Sequence, residues 1–167
     1  VNLVNFEHGA SLPVALAYAP DEAIRASAEQ VQTLFPRRKM TLTFALAYDG
    51  VLTSLDADSL KMVVSNLVEN AFHYTPDGGT TTVRSERLAD DSLKVTIADT
   101  GMGISNEKQK TIFMKFQRDK TAVAIHEKGM GLGLYVAKKI IEQRGGTIGF
   151  ETEEGKGTTF SFTVPHT

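Results

Sequence analysis

Asn66, Asn70 and His73 recur at intervals of four and three residues, a spacing that sets all of them on one stripe of a helix. Asparagine is a poor helix former, so its use twice within one turn points to a site. An amide oxygen is a neutral hard ligand that can join phosphate oxygens and water around Mg²⁺. A solvated helix face with asparagine as filler accounts for the same pair. A second group, Asp99-Thr-Gly-Met-Gly-Ile104, closes an alternating apolar run. Its carboxylate can accept from an exocyclic amine while the glycines let a flat base lie against the backbone, or it can form an ordinary Asx turn. A third group, Gly129-Met-Gly-Leu-Gly-Leu134, leads directly into a helix. Such glycines free successive N–H groups to face an anion, and the helix dipole adds positive potential. No strand precedes this run and its spacing is not GxGxxG, so it is no dinucleotide fingerprint; no Gly-Lys-Ser/Thr closes it as a Walker loop.

The elements that must position these groups are legible in the apolar periodicity. Ile24, Ala28, Val31 and Phe35 mark an amphipathic helix opened at Pro20 and stopped at Pro36. The basic cluster Arg37, Arg38 and Lys39 reads as a solvated cap. Residues 40–46 alternate as a half-buried strand, and an Asp49-Gly50 turn leads to a second extended piece ending at Leu55. Asp56 is a good N-cap for a helix over 57–75, with Val63, Leu67 and Ala71 as its core stripe. Runs over 81–88 and 93–99 form an antiparallel hairpin. A helix over 132–144 stops at Gly145-Gly146, and strands over 148–152 and 158–164 follow. This order fits an α+β fold, an antiparallel-leaning sheet with three helices on one face, and no doubly wound pattern.

Composition narrows the function classes. With 167 residues, 41% hydrophobic and 23% charged, the chain is expected to be a soluble domain with one core. Zero cysteines exclude disulfides, zinc–thiolate sites and thiol catalysis. Eighteen basic residues against 20 acidic ones, a net charge of −2, argue against a nucleic-acid surface. No apolar run approaches the roughly 18 residues of a membrane span. The start at Val1 suggests a piece of a longer protein, with residues 1–12 the remnant of a preceding helix or linker and 13–167 the domain proper.

Together the groups resemble the GHKL ATP-binding domains, and among them the catalytic and ATP-binding domain of bacterial sensor histidine kinases. The resemblance runs over about residues 52–165. Asn66-Leu-Val-Glu-Asn70-Ala-Phe-His-Tyr-Thr-Pro76 is similar to the N box, Asp99 to Ile104 to the first glycine box, and Ile112-Phe-Met-Lys-Phe-Gln-Arg118 to the F box. Gly129 to Leu134 resembles the second glycine box and Gly155-Lys-Gly-Thr-Thr-Phe160 the last. The resemblance implies a two-layer α/β sandwich with a mixed, mostly antiparallel sheet. It implies ATP and Mg²⁺ as cofactors, with Asn70 as the metal ligand and Asn66 beside the phosphates. Asp99 would accept the adenine amine, flanked by Gly101, Gly103 and Ile104, and Tyr74 would lie against base or ribose. Gly129, Gly131, Leu132, Gly133 and Leu134 would approach the phosphates. Thr158 would support the adenine end, and Arg118 with the segment to Lys128 would form a lid. His73 stands where a lysine or arginine is more usual. Phe113 and Phe116 are equally accounted for by core packing.

Asn66 and Arg118 are the expected catalytic residues. In the gyrase and chaperone branches a glutamate at the position of Asn66 activates water; an amide is no useful base, so transfer to a histidine is expected over hydrolysis. None of His8, His73, His126 and His166 sits in a His-Glu/Asp-x-Arg/Lys-x-Pro setting. The acceptor is therefore expected on a dimerisation domain upstream of Val1, with a response-regulator receiver as the next partner. The resemblance places the chain in the cytoplasmic part of a membrane-anchored, homodimeric sensor. A GHKL serine kinase or ATPase and a degenerate nucleotide-binding adaptor are the competing readings.

Overall fold

A computed structural model describes residues 16–114 and 130–167. The readings placed on the N-terminal remnant, His8, Phe116, Arg118, His126, Lys128 and Gly129 lie outside the described residues.

Helix α1 spans Pro20–Thr33, with Pro20 in its first turn, where a missing N–H costs nothing. Its Ile24, Ala28 and Val31 are buried, as their spacing predicts. Strand β1 follows at Thr41–Leu46. Helix α2, Ala57–Tyr74, starts at Asp56, whose carboxylate accepts from the Ser59 N–H at 3.0 Å. It ends because Pro76 disfavours a helical Thr75, which is extended at φ −110° and ψ 124°. Strands β2 (Thr80–Arg87) and β3 (Leu93–Asp99) form the expected hairpin. A short helix α3, Asn106–Gln109, precedes α4, Met130–Gln143. Strands β4 (Thr147–Glu153) and β5 (Gly157–Val164) complete the fold.

The sheet order is β1-β2-β3-β5-β4, with β1 parallel to β2 and every other pair antiparallel. Register aligns Phe44, Val83, Ile97, Phe160 and Phe150 in one row and Leu46, Ser85, Val95, Phe162 and Ile148 in another. These rows meet Leu60, Val63, Val64, Leu67 and Ala71 of α2 and Ala137, Ile140 and Ile141 of α4 in one core. Burying each large side chain there contributes about 1.5–3 kcal/mol. The next row in phase is Leu42, Thr81, Asp99, Thr158 and Thr152. Period two thus carries Asp99 onto the helix-covered side of the sheet, one row past the apolar core. Among the described residues, no helix is long and apolar enough to cross a membrane.

Several expectations are corrected. The second extended piece is no strand: it makes an isolated bridge between Leu52 and Tyr18. Its apolar pattern arises because Leu52 and Leu55 anchor the loop in the core, while Thr53 N–H donates to the His166 carbonyl at 3.3 Å. Helix α4 begins at Met130, so Gly131 and Gly133 lie within its first turn rather than in a loop before it. Glycine accepts helical dihedrals at a cost of about 1 kcal/mol, which packing of the following turns offsets. Arg38 is not simply solvated: its guanidinium pairs with Asp77 at 2.9 Å and donates to the Thr75 carbonyl, tying the α1–β1 connection to the end of α2.

Candidate functional site

The sheet end holds Asp99 by backbone. Its Oδ1 accepts from the Gly101 N–H at 2.8 Å and from the Thr158 N–H at 3.2 Å. Both donors converge on one oxygen, Oδ1. Burial pushes the Asp99 pKa up; the N–H groups of Gly101 and Thr158, and then the Thr75 hydroxyl, oppose it. The carboxylate is thus partly desolvated yet oriented, the condition in which a hydrogen bond from an uncharged amine is strong. Close backbone approach explains two glycines here. A Cβ on Gly101 would collide with the Tyr74 carbonyl oxygen, and one on Gly157, at φ +134°, with that of Asp99. Gly101 thus serves the packing of loop on helix, where the sequence suggested room for a base, and Gly157 the close approach of strand on strand.

Asp99 opens onto a cleft. Thr158 shares its sheet wall, Asn70 and Tyr74 line it from α2, and Met102, Gly103 and Ile104 form another side. Ile104 is fixed by its N–H donating to Thr152 Oγ1 at 2.9 Å, and Thr152 Oγ1 is in turn 2.9 Å from Thr158 Oγ1. Lys108 and Ile112 close the remaining side. The cleft therefore has isoleucine and methionine in its walls, suited to a flat ring, together with a carboxylate acceptor and an amide.

The structure does not bring every expected residue to this cleft. Asn70, at 9% exposure, does line it. Asn66, a turn earlier, donates from Nδ2 to the Gly133 carbonyl at 3.3 Å and so joins α2 to the first turn of α4. Leu134 is buried in the core. Gly131 and Leu132 stand in that same first turn. His73 and Gly101 line a neighbouring recess with Arg38, which shares Tyr74 and Met102 with the cleft. The His73 ring packs edge-on against Phe35 at 5.0 Å, with Nε2 3.5 Å from Glu69. Phe113 packs against Phe150 and Phe160 at 5.9 and 6.1 Å, a core role.

Sequence reasoning missed Lys108, Ile112 and Met102 as lining residues, and Thr152 as a support. Ser105 was the available signal for Lys108. It caps α3 by accepting from the Lys108 N–H at 3.3 Å, and a cap residue there would have announced a helix beside the glycines. Thr152 had no such signal, since only strand register brings it to Thr158.

A family model for histidine kinase-, DNA gyrase B-, and HSP90-like ATPases matches residues 55–167, and the chain belongs to this family. It is thus an ATP-binding domain of the GHKL type. The adaptive-response sensory kinase SasA of Synechocystis sp. is 33% identical over 156 residues, covering 92% of this chain and 38% of SasA. The catalytic domain of the histidine kinase ThkA superposes with a TM-score of 0.78 at 27% identity, covering 93% of this chain and 97% of that one. ThkA has also been solved in complex with the response regulator protein TrrA, with a TM-score of 0.73 at 26% identity, covering 91% and 42%. The chain therefore spans about two-fifths of the length of the curated relative it matches.

Proposed function

We propose that this chain binds Mg·ATP in the cleft and passes the γ-phosphoryl group to a histidine on a dimerisation domain of a longer sensor protein. The observation that carries the reading is the Asp99 carboxylate. Two backbone N–H groups hold one of its oxygens, and it lines a partly apolar cleft with Asn70 on the wall. Adenine matches it, with an amine for Asp99 and a planar ring for Ile104 and Ile112. Guanine presents a carbonyl at that position and would meet a carboxylate.

The residues present fit Mg²⁺. Asn70 offers a neutral amide oxygen at the cleft wall, and among the described residues no cluster of three or more His, Cys, Asp or Glu stands there. Asn70 would therefore hold the ion together with nucleotide oxygens and water. When bound, the ion supplies charge neutralisation at the phosphates. Asp99 and Thr158 bind and orient the base end. Tyr74 covers it, and Lys108 supplies a positive charge to the cleft. Asn66 carries no group able to deprotonate water, which favours an imidazole nucleophile over hydrolysis. Arg118 is proposed to meet the developing charge, and the segment to Lys128 to cover the triphosphate.

The acceptor histidine is proposed to belong to a dimerising helical domain of the same protein, and a response-regulator receiver to take the phosphoryl group next. ThkA, a structural relative, forms such a complex with TrrA. The cytoplasm, where ATP is available, is the proposed location. Calorimetric titration with ATP and GTP, with and without Mg²⁺, tests the reading. ATP should bind, more tightly with Mg²⁺, and GTP should bind far more weakly. Equal affinity for both nucleotides would overturn the Asp99 assignment.

A further inference from the structure

Helices α2 and α4 run antiparallel and are joined by polar contacts at two places. Near the cleft, Asn66 Nδ2 donates to the Gly133 carbonyl at 3.3 Å. At the other end Arg144, just past α4, donates from Nη2 to Asp56 Oδ1 at 3.0 Å and from Nη1 to the Ser54 carbonyl at 3.5 Å. Asn66 follows Asp56 by ten positions and Arg144 follows Gly133 by eleven, so the two contacts lie about 15 Å apart along the helices.

The distant contact is built around a shared carboxylate. Asp56 Oδ2 caps α2 through the Ser59 N–H at 3.0 Å, which leaves Oδ1 for Arg144. The side chains of Arg144 and Asp56 are only 12% and 23% exposed, so the pair is partly desolvated and directional. Tyr18 adjoins it, donating from its hydroxyl to the Leu55 carbonyl at 2.6 Å. Burial chiefly raises the Tyr18 pKa; the Asp56 carboxylate raises it further and Arg144 lowers it.

We infer that Arg144 is a positioning residue for the nucleotide. By tying the end of α4 to the N-cap of α2, it sets where the first turn of α4 meets Asn66, and so the spacing between the amide stripe and the glycine backbone that a triphosphate spans. The base end is independent of this tie, because Asp99 is held by Gly101 and Thr158. The inference rests on the ATP reading of the cleft.

The test compares ATP with adenosine, by calorimetry and by NMR titration respectively. It uses the unmodified chain, Arg144→Met, Arg144→Lys and Asp56→Asn, each at a temperature where thermal melts show it folded. Arg144→Met should weaken ATP binding about fivefold or more and leave adenosine binding within about twofold, the scale for residues acting through packed elements. Arg144→Lys should recover most of the ATP affinity, since a cation again faces Asp56. Asp56→Asn keeps a good N-cap but removes the carboxylate, so it should repeat the ATP loss even where Arg144→Met folds poorly. Equal proportional losses for ATP and adenosine would overturn the inference. So would lower melting temperatures with unchanged ATP affinity, which would leave the pair a purely stabilising role. A chain that binds neither ligand before mutation would overturn the ATP reading itself, and this inference with it.

Discussion

At the base end of the cleft, Asp99 is oriented by two backbone N–H groups that the sheet and its adjoining turn deliver. At the end proposed for the phosphates, Asn66 meets Gly133 across two helices that the Arg144–Asp56 pair also joins. Thr158 sits on a strand paired on both sides, so its N–H cannot shift singly. A helix pair held by packing and side-chain ties can slide by small amounts. On the proposed ATP reading, recognition of the base would thus be preformed, whereas the phosphate end would be adjustable from the far ends of the helices.

The largest effect should fall at the base end. Asp99→Asn replaces the carboxylate with an amide and should cost about 1.5–3 kcal/mol of ATP binding, the range for a hydrogen bond to a charged group. Calorimetry checks this, and undiminished ATP affinity would break the comparison. A paired glycine test sharpens it. Gly157→Ala forces a side chain into the Asp99 carbonyl at a positive φ, so it should cost about 1–3 kcal/mol of stability and weaken ATP binding as Thr158 moves off the carboxylate. In Gly133→Ala the added Cβ stands 3.5 Å from Asn66 Cγ, ordinary contact. That substitution should be neutral or stabilise the fold by up to about 0.5 kcal/mol, below the value for a glycine in mid-helix, and thermal melts of both variants decide.

Smaller effects test charge. Lys108→Met should weaken ATP and ADP binding by about 0.2–1 kcal/mol, with little change for adenosine, and the loss should shrink as salt rises. Titrations at two ionic strengths measure it. The smallest effect is on the nucleotide-free fold. Because burial raises the Asp99 pKa, the stability linked to its neutral form is complete below the ordinary carboxylate value and lost as pH rises through the raised one. Asp99→Asn should therefore melt higher than the unmodified chain near neutral pH, with the advantage shrinking as pH falls toward ~4. A constant difference across that range would mean Asp99 is not desolvated in the free protein.

Much of the fold is readable from the residue sequence. Asp56 caps α2 as its type and place suggest, and Pro20, Pro76 and the glycines at 78 and 79 bound the helices and strands where backbone sterics require. The alternation Leu93, Val95, Ile97 continues in phase to Asp99 and announces its buried direction. The second extended piece failed because an apolar residue anchoring a loop in the core leaves the same trace as one in a ladder. Asn66 and Asn70 read as equivalent on the helix stripe, yet one faces the neighbouring helix and the other the cleft. Periodicity resolves a helix face, not what stands opposite each of its positions.

Residue order alone thus determined the elements, their caps and the chemistry of the amides, the carboxylate and the glycine runs, because those depend on contacts within a few residues. Tertiary structure alone decided which donors hold Asp99, that Lys108 reaches the same cleft, and that Arg144 closes on Asp56. Each of these joins side chains or strands far apart in sequence. Such partners are chosen by register and by how layers pack, and no local preference encodes either.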